Sequence, residues 1–166
     1  MLLTIVPIAP HHAAGFHACL DVVAREQRYL AQLEAPPLAR VEAFVQENAA
    51  NDAAQFVALD DGRVVGWADV LPEWPVALAH CGSLGMGLLP AYRGQGIGEK
   101  LLQTCIAKAW ARGLTRIELA ARADNLRAIR LYERLGFVHE GVKRRGMRFG
   151  TAYHDTVVMG LLREEP

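Results

Sequence analysis

Apolar residues recur along this chain in two rhythms, and the changes of rhythm mark its elements. Met1-Leu2-Leu3-Thr4-Ile5-Val6-Pro7 opens as a short strand. Over residues 11–26, Ala14, Phe16, Cys19, Leu20 and Val23 return at roughly helical spacing. Pro36-Pro37 interrupts, and Leu38, Val41, Phe44 and Val45 resume on one face through residue 48. Two helices joined by a proline-bearing loop are therefore predicted. Residues 55–59 and 63–71 are strand-like, with Asp61-Gly62 between them as a hairpin signal. Pro72-Glu73-Trp74-Pro75 reads as a loop. Residues 80–89 form a strand carrying Gly82, Gly85 and Gly87, which weaken it unless a bulge or a closely approaching ligand uses the space. A helix over residues 96–112 sets Ile97, Leu101, Leu102, Cys105 and Ala109 on its inner face and ends at Gly113. A strand over 116–121, a short helix containing Tyr132, and strand-like runs over 137–143 and 151–162 complete the chain.

This order predicts an α/β fold with a mixed sheet, in which the strand–helix–strand unit over residues 84–119 is parallel and right-handed. At 166 residues the chain is long enough to bury a sizeable core, so a single domain over residues 1–166 is expected. Hydrophobic residues make up 52% and charged residues 22%, which excludes a disordered chain. Lysine plus arginine equals aspartate plus glutamate at 18 each, so no net field draws it to nucleic acid or an anionic membrane, and no such partner is expected. The apolar start lacks the basic leader of a secretory signal, and no apolar stretch approaches the roughly 20 residues that cross a bilayer. Cys19, Cys81 and Cys105 are an odd count without C-x-x-C spacing, which points to neither a disulfide framework nor zinc and fits a reducing cytoplasm. The histidines, including His11 and His12, form no metal-ligand constellation, so no metal is assigned.

The run Leu88-Leu89-Pro90-Ala91-Tyr92-Arg93-Gly94-Gln95-Gly96-Ile97-Gly98 carries the chemistry. A strand, a glycine-rich turn and a helix start are the geometry of a phosphate cradle. Backbone N–H groups converge on an anion where side chains are absent, and the helix N-terminus adds unpaired donors and a positive dipole end. Arg93 is a planar cation suited to phosphate oxygens. A dinucleotide fingerprint fails because Glu99 stands where its last glycine belongs, and no G-x-x-x-x-G-K-[ST] string occurs. A surface turn with a lone arginine is the structural alternative for such a short motif. A second segment, Asn125-Leu126-Arg127-Ala128-Ile129-Arg130-Leu131-Tyr132-Glu133-Arg134-Leu135-Gly136-Phe137, is a short helix with Ala128, Leu131, Tyr132 and Leu135 on one stripe. Asn125 is placed to cap it, and Gly136 to end it in a left-handed turn.

With R-x-x-G-x-G followed by this asparagine, alanine, tyrosine and Gly-Phe, the chain resembles the GNAT superfamily of acetyl-coenzyme A dependent N-acetyltransferases, most closely the small bacterial-type enzymes of amino acids and metabolites. The resemblance implies a GNAT-type α/β fold: a mixed, mostly antiparallel sheet whose one parallel strand pair splays apart to admit the cofactor, with flanking helices. It implies acetyl-CoA as cosubstrate, held by Met86, Gly87, Leu88, Arg93, Gly94, Gln95, Gly96, Ile97, Gly98, Asn125 and Tyr132. Dimers are common in that superfamily, so a homodimer is compatible with it.

Attack of an amine on a thioester needs donors for the carbonyl oxygen, a neutral amine and an acid for the departing thiolate. Tyr132 matches the superfamily's general acid, and a phenol with an ordinary pKa near 10 stays protonated at neutrality; its stripe also makes it a core residue. Asn125 is read as a cap, a cofactor contact, or both. The strand over 80–89 holds no carboxylate, so the base lies elsewhere, among Glu26, Asp69, Glu73, His80 and Asp155. Glu26 is taken as the catalytic candidate, as base or as the anchor of the substrate ammonium. Tyr153 and Asp155 share a strand face and border the cleft in the resemblance or make a structural hydrogen bond. Lys143, Arg144, Arg145 and Arg148 read as a solvated basic hairpin. Trp67, Trp74 and Tyr29 are placed near the acceptor side. The expected reaction is transfer of acetyl to a primary amine of a small molecule such as an amino acid. A protein amine as acceptor, or a noncatalytic acyl-CoA binding module, are the alternatives.

Overall fold

Asp61 and Gly62 both take positive φ, +48° and +83°, the backbone twist that a two-residue hairpin requires. They join β2 (Ala54–Asp60) to β3 (Arg63–Pro72) in the computed structural model, which describes residues 2–165, so Met1 of the expected first strand lies outside the described residues. With β1 (Leu3–Pro7), β4 (Cys81–Leu88), β5 (Arg116–Arg122), β6 (Val138–Phe149) and β7 (Ala152–Leu162), they form one sheet of seven strands ordered β1-β2-β3-β4-β5-β7-β6. Its neighbours are antiparallel except β4 and β5. That parallel pairing lasts only from Cys81↔Arg116 to Ser83↔Glu118, although β4 runs on to Leu88 and β5 to Arg122. The parallel, splayed pair implied by the resemblance is therefore present. The strand–helix–strand unit expected over 84–119 is parallel, and its hydrogen-bonded part lies at the start of both strands.

Four helices cover the sheet: α1 (Ala13–Arg25), α2 (Leu38–Ala50), α3 (Ile97–Ala111) and α4 (Leu126–Arg134). Neighbouring residues of a strand point to opposite faces, which separates the helices into two layers. Phe16 of α1 packs edge-on against Trp67 of β3, with ring centroids 5.5 Å apart. On the other face, Gly98 of α3 lies against Met86 and Leu88 of β4. Leu101, Leu102 and Cys105 of α3, Ile117 of β5 and Met159 of β7 are fully buried between sheet and helix.

Of the two uses expected for the glycines of β4, the bulge is absent. β3 and β4 pair without interruption from Gly66↔Leu88 to Pro72↔Gly82, so there is no bulge. Side chains of β3 fill the vacated positions instead. A Cβ on Gly87 would lie 2.2 Å from the Trp67 indole, one on Gly82 2.5 Å from Val70, and one on Gly85 3.2 Å from the Asp69 carboxylate.

β6 also departs from expectation. Residues 143–148 do not turn; they continue the outermost strand, and the turn comes at Gly150, whose φ is +60°. The strand is exposed along nearly its whole length, and its pairing with β7 shifts register between His139 and Gly141 and again between Lys143 and Met147. Its alternation is masked because polar residues stand on both faces, Val138 and Val142 are exposed, and only Met147 and Phe149 near its end are partly buried.

The rigid indole over Gly87 leaves no room for a methyl group. Gly87→Ala is expected to lower stability by about 1–3 kcal/mol in urea unfolding. Gly141→Ala, where nothing lies within 4 Å of the added atom, is expected to change it by less than about 0.5 kcal/mol.

Candidate functional site

Where β4 and β5 part, the edge of β4 beyond Ser83 faces a gap rather than a neighbouring strand. The gap opens into a cleft of about 240 Å³. Met86, Gly87 and Leu88 form one wall, α4 supplies Ala128, Leu131 and Tyr132, and Val23 and Tyr29 close the side nearest α1.

The glycine turn forms the mouth. After Leu88 the chain makes a short 3-10 turn over Pro90–Tyr92, pinned where the Tyr92 hydroxyl donates to Asp60 Oδ2 at 2.7 Å. Gly94 and Gly96 follow with φ of +73° and +78°, conformations in which a side chain is strained. Gly96 is the N-cap of α3 and offers no side-chain oxygen, so the first N–H groups of that helix are left for an anion. Gly94, Gly96 and Gly98 all line the cleft.

Arg93 is occupied by the protein itself. Its Nη1 and Nη2 donate to both oxygens of Glu26, at 2.9 and 2.6 Å, and Nε and Nη2 donate to the Leu88 carbonyl. The guanidinium also stacks over Tyr29, 4.9 Å from the ring centre. Glu26 holds its pKa high, so this bidentate pair ties the turn to the end of α1 as a fixed charge. The two residues expected to bind phosphate and to take a proton thus hold each other.

The cation that lies free over the turn is Arg127, which sequence reasoning did not single out. Its Nη2 lies 2.6 Å from where a Cβ on Gly94 would be, so the glycine at 94 is what lets the guanidinium lie across the loop. The signal was in the helix period: Arg127, Leu131 and Arg134 stand at i, i+4 and i+7, beside the stripe of Ala128 and Tyr132, and all five line the cleft. Arg134 reaches Glu99 of α3 across the cleft at 3.5 Å.

Tyr132 is buried, packed edge-on against Phe137 with centroids 5.8 Å apart, yet it borders the cleft. Burial alone pushes its phenol up to about 12, so it holds its proton throughout the neutral range. Asn125 caps α4, its Oδ1 accepting from the Ala128 N–H at 3.4 Å, and it also lines the cleft. Gln95 and Ile97 do not line it: Gln95 folds back to donate to the Ala91 carbonyl at 2.8 Å, and Ile97 is in the core.

The remaining base candidates scatter. Glu73 and His80 flank the far end of β4, roughly 20 Å along the strand from the glycine turn. Trp74 is there too and is 90% exposed, whereas Trp67 is buried, so neither joins Tyr29 in the cleft. Asp155 accepts the Arg145 N–H at 2.8 Å, and Tyr153 lies beneath the guanidinium of Arg145, 4.8 Å from its ring centre. Asp69 lies on β3 beside Gly85. Among the described residues no cluster of metal-ligating side chains occurs.

The chain matches the model of the Acetyltransferase (GNAT) family over residues 19–137. It is 37% identical over 83 residues to N-alpha-acetyltransferase 30 of Schizosaccharomyces pombe, a match covering 49% of this chain and 55% of that protein. The chain thus spans only about half the length of this curated relative. Its fold is similar to that of a GNAT-family acetyltransferase from Streptococcus pneumoniae, with a TM-score of 0.89 and 26% identity, covering 98% of this chain and 100% of that one. It is also similar to yncA of Salmonella typhimurium, solved with its cofactor acetyl-CoA, with a TM-score of 0.91 and 19% identity, covering 99% and 95%.

If Arg93 and Glu26 act as one staple, Arg93→Ala and Glu26→Ala should each destabilise the fold by about 1–3 kcal/mol, between the exposed and buried limits for ion pairs. The double variant should lose little more than either alone, a non-additivity measured by a thermal double-mutant cycle.

Proposed function

Because the chain belongs to the acetyltransferase (GNAT) family, we propose that it transfers acetyl from acetyl-CoA directly to a primary amine of a small molecule, an amino acid being the type case. The observation that carries this reading is a protonated tyrosine bordering the cleft whose mouth is an uncapped helix start and a glycine turn under Arg127. The residues present suit a pantetheine arm with a pyrophosphate. The cleft edge of β4 at Met86, Gly87 and Leu88 offers backbone groups to the amides and the acetyl carbonyl. The N–H groups of the turn and of α3, together with Arg127, face the phosphates. The Tyr132 hydroxyl supplies the proton that the leaving sulfur takes up, since a phenol kept protonated by burial is an acid ready at neutral pH. Glu26 serves here as the anchor of the turn, since both of its oxygens are engaged by Arg93.

The likeness to an enzyme named N-alpha-acetyltransferase favours a second acceptor, the terminal α-amine of a polypeptide, which is the same nucleophile as that of an amino acid.

The test is release of free thiol from acetyl-CoA by the purified protein, offered L-amino acids, spermidine, an aminoglycoside and a peptide with a free N-terminal alanine. Amine-dependent release supports the transferase and identifies the acceptor class; acetyl-CoA binding without release for any amine supports a noncatalytic binding module instead. Tyr132→Phe should lower kcat by roughly 10²–10³-fold while leaving acetyl-CoA affinity within about twofold. Arg127→Ala should do the reverse, raising the KM for acetyl-CoA about tenfold with kcat little changed.

A further inference from the structure

Asp69 sits in the middle of β3, between Gln55 of β2 and Gly85 of β4. Its Oδ1 lies 3.2 Å from the position a Cβ on Gly85 would take, so the missing side chain at 85 is what lets the carboxylate lie over β4. Gly85 is two residues past Ser83, where β5 leaves β4, and one residue before Met86, which lines the cleft. The carboxylate therefore overhangs β4 at the point where the gap opens, on the sheet face opposite Met86 and Leu88. Asp69 is half-buried there.

Its surroundings are polar without being charged. Gln55, opposite it on β2, is buried; its Oε1 accepts from Asn48 Nδ2 of α2 at 2.8 Å, and its Nε2 has no partner among the described residues. An unpaired buried donor is disfavoured, and register sets this one on the same sheet face as Asp69. β4 presents Gly85, Ser83 and Gly87 on the same face. The titratable group that senses this carboxylate is the Cys105 thiol of α3, behind the sheet, which burial pushes up and so keeps neutral. With no cation beside it, burial pushes the Asp69 carboxyl up to about 7.

We propose that Asp69 is the catalytic base on the acceptor side, taking a proton from the substrate ammonium above Gly85, an inference that rests on the transferase reading. The ammonium gives one proton to the Asp69 carboxylate, and the freed lone pair on nitrogen attacks the thioester carbonyl carbon. The nitrogen–carbon bond forms, and the carbon–sulfur bond breaks with its electrons passing to sulfur. Sulfur takes the Tyr132 proton, a second amine proton restores the phenol, the third stays on the amide, and Asp69 returns its proton to solvent.

The test compares Asp69→Asn with the parent at saturating acetyl-CoA, using the amine the parent accepts best from the panel above, from about pH 6 to about pH 9. The parent kcat should rise through a pH near 7 and level off. The variant should be roughly 10²–10³-fold slower at neutrality, should lack that limb, and should bind acetyl-CoA as the parent does. Stability gives a second readout. The folded-state pKa is raised, so the stability linked to Asp69 is full below its ordinary value of 3.8 and is lost as pH climbs towards about 7. An asparagine escapes that loss, so the variant should melt no lower than the parent at about pH 8. Retention of the parent's rate and pH limb, or a melting temperature well below the parent's, overturns the assignment. A parent that binds acetyl-CoA but releases no thiol overturns the transferase reading itself, and that failure is visible before any variant is made.

Discussion

Two parallel strands that cannot stay bonded past their third residue pair are the constraint on which the rest of this molecule turns. β4 and β5 part after Ser83 and Glu118, and each runs on for several residues with one edge unsatisfied on that side. An unsatisfied strand edge inside a fold is disfavoured, so it must meet water or a ligand. Every element around the gap addresses that edge. α4 lies across its far side, the glycine turn closes its end, and the Arg93–Glu26 pair fixes that turn to α1.

The glycines of the region fall into two physical classes. In the turn, Gly94 and Gly96 are required by backbone conformation, since both adopt positive φ. In β4 the requirement is space: Trp67 occupies the position above Gly87, and Val70 that above Gly82. Packing explains those two, because an indole or a valine gains burial there. Gly85 differs in that the side chain it accommodates is a carboxylate.

Elements with one buried face were legible in the sequence, because an apolar stripe or alternation is written where one side meets the core. The α3 stripe of Ile97, Leu101, Leu102, Cys105 and Ala109 is buried as read, and both the Asp61-Gly62 turn and the Gly136 stop take positive φ. β6 was illegible past residue 143 because an edge strand with both faces in water shows no alternation. At the site, the residues whose roles depend on the backbone could be read from the glycine spacing. The partners of long side chains could not. Nothing in the order of residues says that Arg93 meets Glu26, 67 positions away, and thereby leaves Arg127 as the free guanidinium over the turn. Asp69 stood among five base candidates, and only register, which sets it opposite Gly85, distinguishes it.

The outer strand carries a consequence of its own. A twelve-residue edge exposed on both faces is the kind of surface onto which another chain's strand is added, the first step towards fibrous assembly. Here two register shifts break its straightness, Arg145 bends it with φ of +53°, and Lys143, Arg144 and Arg148 line it with like charge. Those features make poor pairing geometry and repel a second copy, so the basic run that the sequence presents as a solvated hairpin acts as a guard on the sheet's open side.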